Sequence, residues 1–221
     1  MSFRNAACFA VATALLVAAS SALAVTVGQK DDFEDGTTAN WVVSLFGAPH
    51  PAPPQNFATG GPAGVDDNYL RLTAQGGAGP GSRLAVINNV QWTGGYVAAG
   101  GGAISLDVNN FGTTDLTLRL QLSGPADLTN VAVTTAAVSV PAGSGWLAVS
   151  FPIDAASLTT TLGSAATLLT DVAEVRLFHN PAATSSPPPV TAVLGVDNVT
   201  LLAGGVADAV QDWGAVKALF R

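Results

Sequence analysis

The stretch Ala103-Ile104-Ser105-Leu106-Asp107-Val108-Asn109 decides the fold class, together with Asp115-Leu116-Thr117-Leu118-Arg119-Leu120-Gln121-Leu122, which follows after Asn110-Phe111-Gly112-Thr113-Thr114. Both segments alternate apolar and polar residues with a period of two, the signature of a half-buried strand. Ile104, Leu106 and Val108 face one way in the first, and Leu116, Leu118, Leu120 and Leu122 do so in the second. Residues 110–114 read as the turn of a hairpin between them, with Gly112 supplying backbone freedom. The same pattern recurs at 69–73, 83–87, 131–138, 146–151, 174–178 and 190–202. Gly- and Pro-rich loops separate these runs, and residues 155–170 are expected to hold a short helix. Short strands at this spacing specify an all-β, antiparallel two-sheet sandwich of jelly-roll type.

The two ends read differently. Arg4, the apolar run 6–19 and Ala22-Leu23-Ala24 form a secretory signal peptide over residues 1–24. The run is shorter than the roughly 20 residues a membrane span needs. The single cysteine, Cys8, lies in it, so the domain at 25–203 is expected to be held by its core without disulfides, with help from a metal. After Gly204-Gly205, the tail 206–221 places Val206, Val210, Trp213, Val216 and Phe220 on one helical face. It is expected to form a short C-terminal helix, packed on the domain or frayed, with a terminal recognition tag as the sharper reading. Without Arg4 there are seven basic residues against fifteen acidic ones, which gives no footprint for nucleic acid or anionic lipid. No second long apolar run exists, so no membrane span is expected in the mature chain.

Two acidic stretches bracket the domain: Asp31-Asp32-Phe33-Glu34-Asp35-Gly36, with Trp41 just after, and Gly195-Val196-Asp197-Asn198-Val199. First and last strands of such a sandwich are often neighbours, so these carboxylates are placed to meet as a hard-cation site of the calcium type. Otherwise they cap turns and solvate loop ends. A transition metal is not expected, since histidine and cysteine ligands are nearly absent.

The opening motif with Trp41, the strand Asn68-Tyr69-Leu70-Arg71-Leu72 and the closing Leu194-Gly195-Val196-Asp197-Asn198-Val199 resemble jelly-roll, carbohydrate-binding-module-like domains of the galactose-binding-like group in exported bacterial proteins. The resemblance covers roughly residues 30–202 and implies a structural calcium ion near the joined chain ends. Glu34 and Asp197 match the implied ligand positions, with Asp32 beside them. The segment from Gln91 to Leu120 also looks like exported bacterial proteins that carry a C-terminal sorting anchor. The ending Trp213-Gly214-Ala215-Val216-Lys217-Ala218-Leu219-Phe220-Arg221 is similar to short sorting-type tails, and implies sorting machinery as a partner.

A sugar site needs aromatic platforms and planar polar groups. By alternation, Arg119, Gln121, Arg176 and Asp107 are expected on one outer sheet face, with Trp92 and Tyr96 on a nearby loop. The bland alternative is a cross-strand pair of Asp107 with an arginine. Trp41 and Trp146 are expected in the core. Enzyme signatures are poor: His50 and His179 are the only histidines, and no Gly-x-Ser-x-Gly elbow occurs. The reading is a secreted or cell-surface, non-catalytic glycan-binding module stabilised by calcium. A structural or adhesive surface protein is the alternative, and a polysaccharide hydrolase acting through Glu174 the third reading.

Overall fold

The computed structural model describes residues 24–43, 50–125 and 130–205. In chain order the elements are β1 (Lys30–Asp31), β2 (Gln55–Phe57), β3 (Tyr69–Gln75), β4 (Ala85–Asn88), α1 (Tyr96–Ala99), β5 (Gly101–Asn110), β6 (Leu116–Ser123), β7 (Val131–Thr134), β8 (Val138–Val140), β9 (Trp146–Pro152), β10 (Leu158–Leu162), α2 (Ala165–Leu168), β11 (Glu174–His179) and β12 (Thr191–Ala203). The strands form two antiparallel sheets packed face to face. One runs β2-β3-β12-β5-β9, with β1 also on β12; the other runs β10-β7-β6-β11-β4, with β8 also on β6.

Alternation places the core. Leu70 and Leu72 of β3, Ile104, Leu106 and Val108 of β5, and Leu194, Val196, Val199 and Leu201 of β12 are buried between the layers. Opposite them lie Leu116, Leu118, Leu120 and Leu122 of β6 and Val175 and Leu177 of β11. Burying a large aliphatic side chain contributes about 1.5–3 kcal/mol. This layer is therefore the main source of stability.

The expected hairpin of 103–109 with 115–122 does not form. β5 pairs with β9 and β12, whereas β6 pairs with β7, β8 and β11 in the other sheet. The two leucine-rich faces meet across the core instead of side by side, and residues 111–115 carry the chain between layers. Asn110 secures that corner: its side-chain amide donates to the Thr114 and Val140 carbonyls, and its Oδ1 accepts from Gly112 N–H. The expected run 131–138 divides into β7 and β8, and 155–170 contains β10 as well as the short helix α2. The expected C-terminal helix lies outside the described residues.

Candidate functional site

The opening motif works first as a core bolt. Asp31 is buried, and its Oδ2 accepts from the indole N–H of both Trp41 and Trp92 at 2.7 Å. Burial pushes its carboxyl above the usual carboxylate range, and the two indole bonds oppose that shift. Trp92 is fully buried, and the Tyr96 hydroxyl donates to the Trp92 carbonyl at 2.9 Å. Neither ring is an exposed loop platform. They belong to the core beneath α1, and desolvation holds the Tyr96 phenol well above its usual range.

Three of the expected polar residues do share the outer face of the β6–β11 sheet. Arg119 sits opposite Phe178, and Gln121 opposite Arg176. Loops cover this face. Arg119 is 6% exposed. It donates to four carbonyls, those of Asn180, Thr134, Thr135 and Pro181. Arg176 donates to the Ser185 carbonyl and Arg83 to that of Pro187, which ties down the Pro-rich 181–189 segment. Gln121 is buried, its amide donating to Ser123 Oγ. Arg119 is thus a loop clamp instead of an outward ligand group. Asp107 is not on this face at all, because β5 belongs to the other sheet.

The outer face of the β3–β12–β5–β9 sheet is the more open one. The register aligns Gln55, Arg71, Gly195, Asn109 and Trp146 in one row across five strands. Trp146, expected in the core, is half-buried on this face because it alternates with the inward Leu147 and Phe151. Its indole N–H donates to the Gly60 carbonyl at 2.9 Å, so the ring also holds the 58–68 loop. Phe57, Tyr69, Phe111 and Trp146 form a continuous cluster, with successive ring centroids 5.4–5.7 Å apart from Phe57 through Tyr69 to Trp146 and Phe111. Phe111 is 44% exposed. The Arg71 guanidinium lies over Phe57 at 4.8 Å. Gly195 is the floor: a Cβ there would meet Phe111 at 2.8 Å and Trp146 at 2.9 Å. Only glycine lets both rings settle on the strand. Among the described residues, the side chains of Gln55, Arg71 and Asn109 make no hydrogen bonds. Sequence reading missed this patch because its members come from five strands and the loop that holds Phe111. The lone glycine in a strand pattern was the available signal.

The acidic ends meet only in part. β1 pairs with β12, Asp31 opposite Val199. Glu34 Oε1 accepts from Asn68 N–H at 2.8 Å, and Asp32 lies 3.8 Å from the Lys30 ammonium. Phe33, between them, has φ of 58°, a left-handed conformation unusual for a bulky residue. Its carbonyl accepts from the amides of Asn56 and Asn68. Asp197 stands apart, at a bulge on the outer face, opposite Asp107. Asn198, left-handed at φ 53°, donates its backbone N–H to Asp197 Oδ1 and its side-chain amide to Asp107 Oδ2. Asp197 is fully buried, and its Oδ2 has no hydrogen-bond partner. Burial pushes its acid up to about 7; the Asn198 N–H opposes this, Asp67 and Asp107 add to it, and Lys30 opposes it. Among the described residues, no three His, Cys, Asp or Glu groups converge. Asp32, Glu34 and Asp197 therefore do not form one carboxylate cage. The orphaned Asp197 oxygen is buried without a hydrogen-bond partner, and a carboxylate oxygen is a hard-cation ligand.

No family model matches the chain, and no curated protein matches it. Solved structures do. A family 11 carbohydrate-binding module from Clostridium thermocellum, in complex with a β-1,3-1,4-mixed-linked tetrasaccharide, superposes with a TM-score of 0.53 at 16% identity, over 81% of this chain and 98% of that one. The fold is that of a carbohydrate-binding module. The solution structure of a family 11 module gives a TM-score of 0.53 at 17% identity, covering 84% of this chain and 98% of the module. An exo-β-agarase gives 0.56 at 12% identity, but the match spans only 25% of that enzyme. The carbohydrate-binding-module sandwich is thus matched along nearly its whole length. Among the described residues, no helix is long and apolar enough to cross a membrane.

Proposed function

We propose that this protein is a non-catalytic, extracellular glycan-binding module, and that its ligand lies on the outer face of the β3–β12–β5–β9 sheet. The aromatic cluster over Gly195 carries the reading. Half-exposed Trp146 and Phe57 and exposed Phe111 offer apolar ring faces to the C–H face of a pyranose. Arg71 and Gln55 offer planar donors and acceptors to its hydroxyls. The module fold supports the same reading.

Calcium belongs to the proposal as a structural ion. Asp197 Oδ2 would be one ligand; the ion would supply the positive charge that this buried carboxylate lacks. Asp32 and Glu34 hold their present partners and would contribute only after rearrangement. Export through the leader at 1–24, and recognition of the 206–221 tail by sorting machinery, are further parts of the proposal.

The test is isothermal titration with a β-1,3-1,4-mixed-linked tetrasaccharide, xylan and agarose oligosaccharides. Binding by the parent protein and its loss in Trp146→Ala, with an unchanged circular dichroism spectrum, supports the module. Absence of binding to a broad glycan array supports the structural, adhesive alternative. Binding lost instead in Arg176→Ala moves the site to the opposite sheet.

A further inference from the structure

We propose that the cleft at one end of the sandwich is the docking site of the chain's own segment 206–221, held there by its apolar face. The cleft measures roughly 540 Å³ and lies between α1, the turn after β9, α2 and the end of β12. That volume falls in the range of about 300–1,000 Å³ that houses a compact apolar ligand or a few side chains. Its walls are mainly apolar: Val97, Ile153, Ala155, Ala166 and Leu169 contribute, with Asp154 at its rim. Val97, a large apolar residue of α1, is 63% exposed.

Three observations select the occupant. Gly204 and Gly205 themselves line the cleft, so segment 206–221 begins at its lip. Gly204 N–H donates to the Gly100 carbonyl at 2.8 Å, which fixes the exit point against the end of α1. Gly102 allows this close crossing: a Cβ there would fall 2.1 Å from the Gly204 Cα. The segment's pattern then fits the walls. Val206, Val210, Trp213, Val216 and Phe220 share one helical face. Sixteen residues at 1.5 Å each reach about 24 Å as a helix, enough to cross the opening.

Docking would cover Val97 and shelter Trp213 until another protein draws the tail out. Cys8 is the chain's single cysteine, so its replacement makes the test clean. Cys8→Ser chains carrying Val97→Cys with Val216→Cys, or Val97→Cys with Gln211→Cys as the opposite-face control, are oxidised at low protein concentration. Disulfides require Cα atoms within about 7 Å. The expected result is an intramolecular cross-link that forms at least about tenfold faster in the first pair, because only that face meets the cleft. Equal rates, or cross-links only between molecules, overturn the proposal; the latter makes a second copy the occupant. Hydrogen exchange of the otherwise unaltered chain gives a second readout. Amides at 96–101 should exchange at least about tenfold faster in Trp213→Ala/Phe220→Ala. Unchanged exchange there also overturns it.

Discussion

Asp197→Asn should remove its own part of the fall in stability between about pH 4 and pH 7 in the presence of a chelator, leaving the part that burial of Asp31 and Glu174 adds in the same direction. The parent carboxyl rises from its ordinary 3.8 to about 7 because burial desolvates it. Within that window the folded protein holds a proton that the unfolded chain has released. Stability must therefore fall as pH rises, and the loss is complete above about pH 7. Each pH unit across the window is worth about 1.4 kcal/mol, so the total is at most about 4 kcal/mol. Asparagine keeps an oxygen for the Asn198 N–H and carries no charge to desolvate. The variant should be more stable than the parent at pH 8 and close to it at pH 4. Urea unfolding across this range measures both. Calcium should change the comparison: it requires the ionised carboxylate, so it should stabilise the parent above pH 7 and leave Asp197→Asn unaffected. At a hundredfold excess over Kd the gain is about 2.7 kcal/mol. A flat parent profile, or the same slope in the variant, refutes the burial argument. Calcium without effect on the parent removes the ion from the proposal and leaves the linkage intact.

Other changes separate binding from architecture. Trp146→Ala should weaken glycan binding by at least about tenfold, or about 1.4 kcal/mol, by titration calorimetry. Gly195→Ala should displace Phe111 and Trp146 and cost about 1–3 kcal/mol in urea unfolding, with a parallel loss of binding. Arg119→Met should leave four loop carbonyls without their donor and cost about 2–4 kcal/mol, while glycan affinity stays unchanged. Asp31→Asn keeps one oxygen for both indoles but turns its amide N–H groups toward the Gln91 amide, which donates to the parent carboxylate, and should cost about 1–2 kcal/mol, with altered tryptophan fluorescence as the local readout.

The sequence determined what depends on local pattern. Period-two alternation of Ile104, Leu106 and Val108 and of Leu116 to Leu122 specifies strands with one buried face, wherever those strands go. The repeat of such runs specifies a sandwich, and the sparse basic residues give no electrostatic footprint for nucleic acid. The terminal motifs predict that first and last strands meet, and β1 does pair with β12. Which sheet each strand joins was not legible. Two successive strands with inward leucines satisfy the same pattern as a hairpin in one sheet or as partners across the core, because alternation sets a side chain's face and not its neighbour. That ambiguity put Asp107 beside Arg119, whereas tertiary pairing separates them by the thickness of the molecule. Burial of polar and aromatic groups was equally non-local. Trp92 reads as a loop ring until Asp31, 61 residues away in sequence, accepts its N–H. Trp146 reads as core until β9 takes its place at the sheet edge. The aromatic face over Gly195 and the cleft at Gly204 are likewise products of pairing distant segments, because a surface exists only once strands have chosen their neighbours.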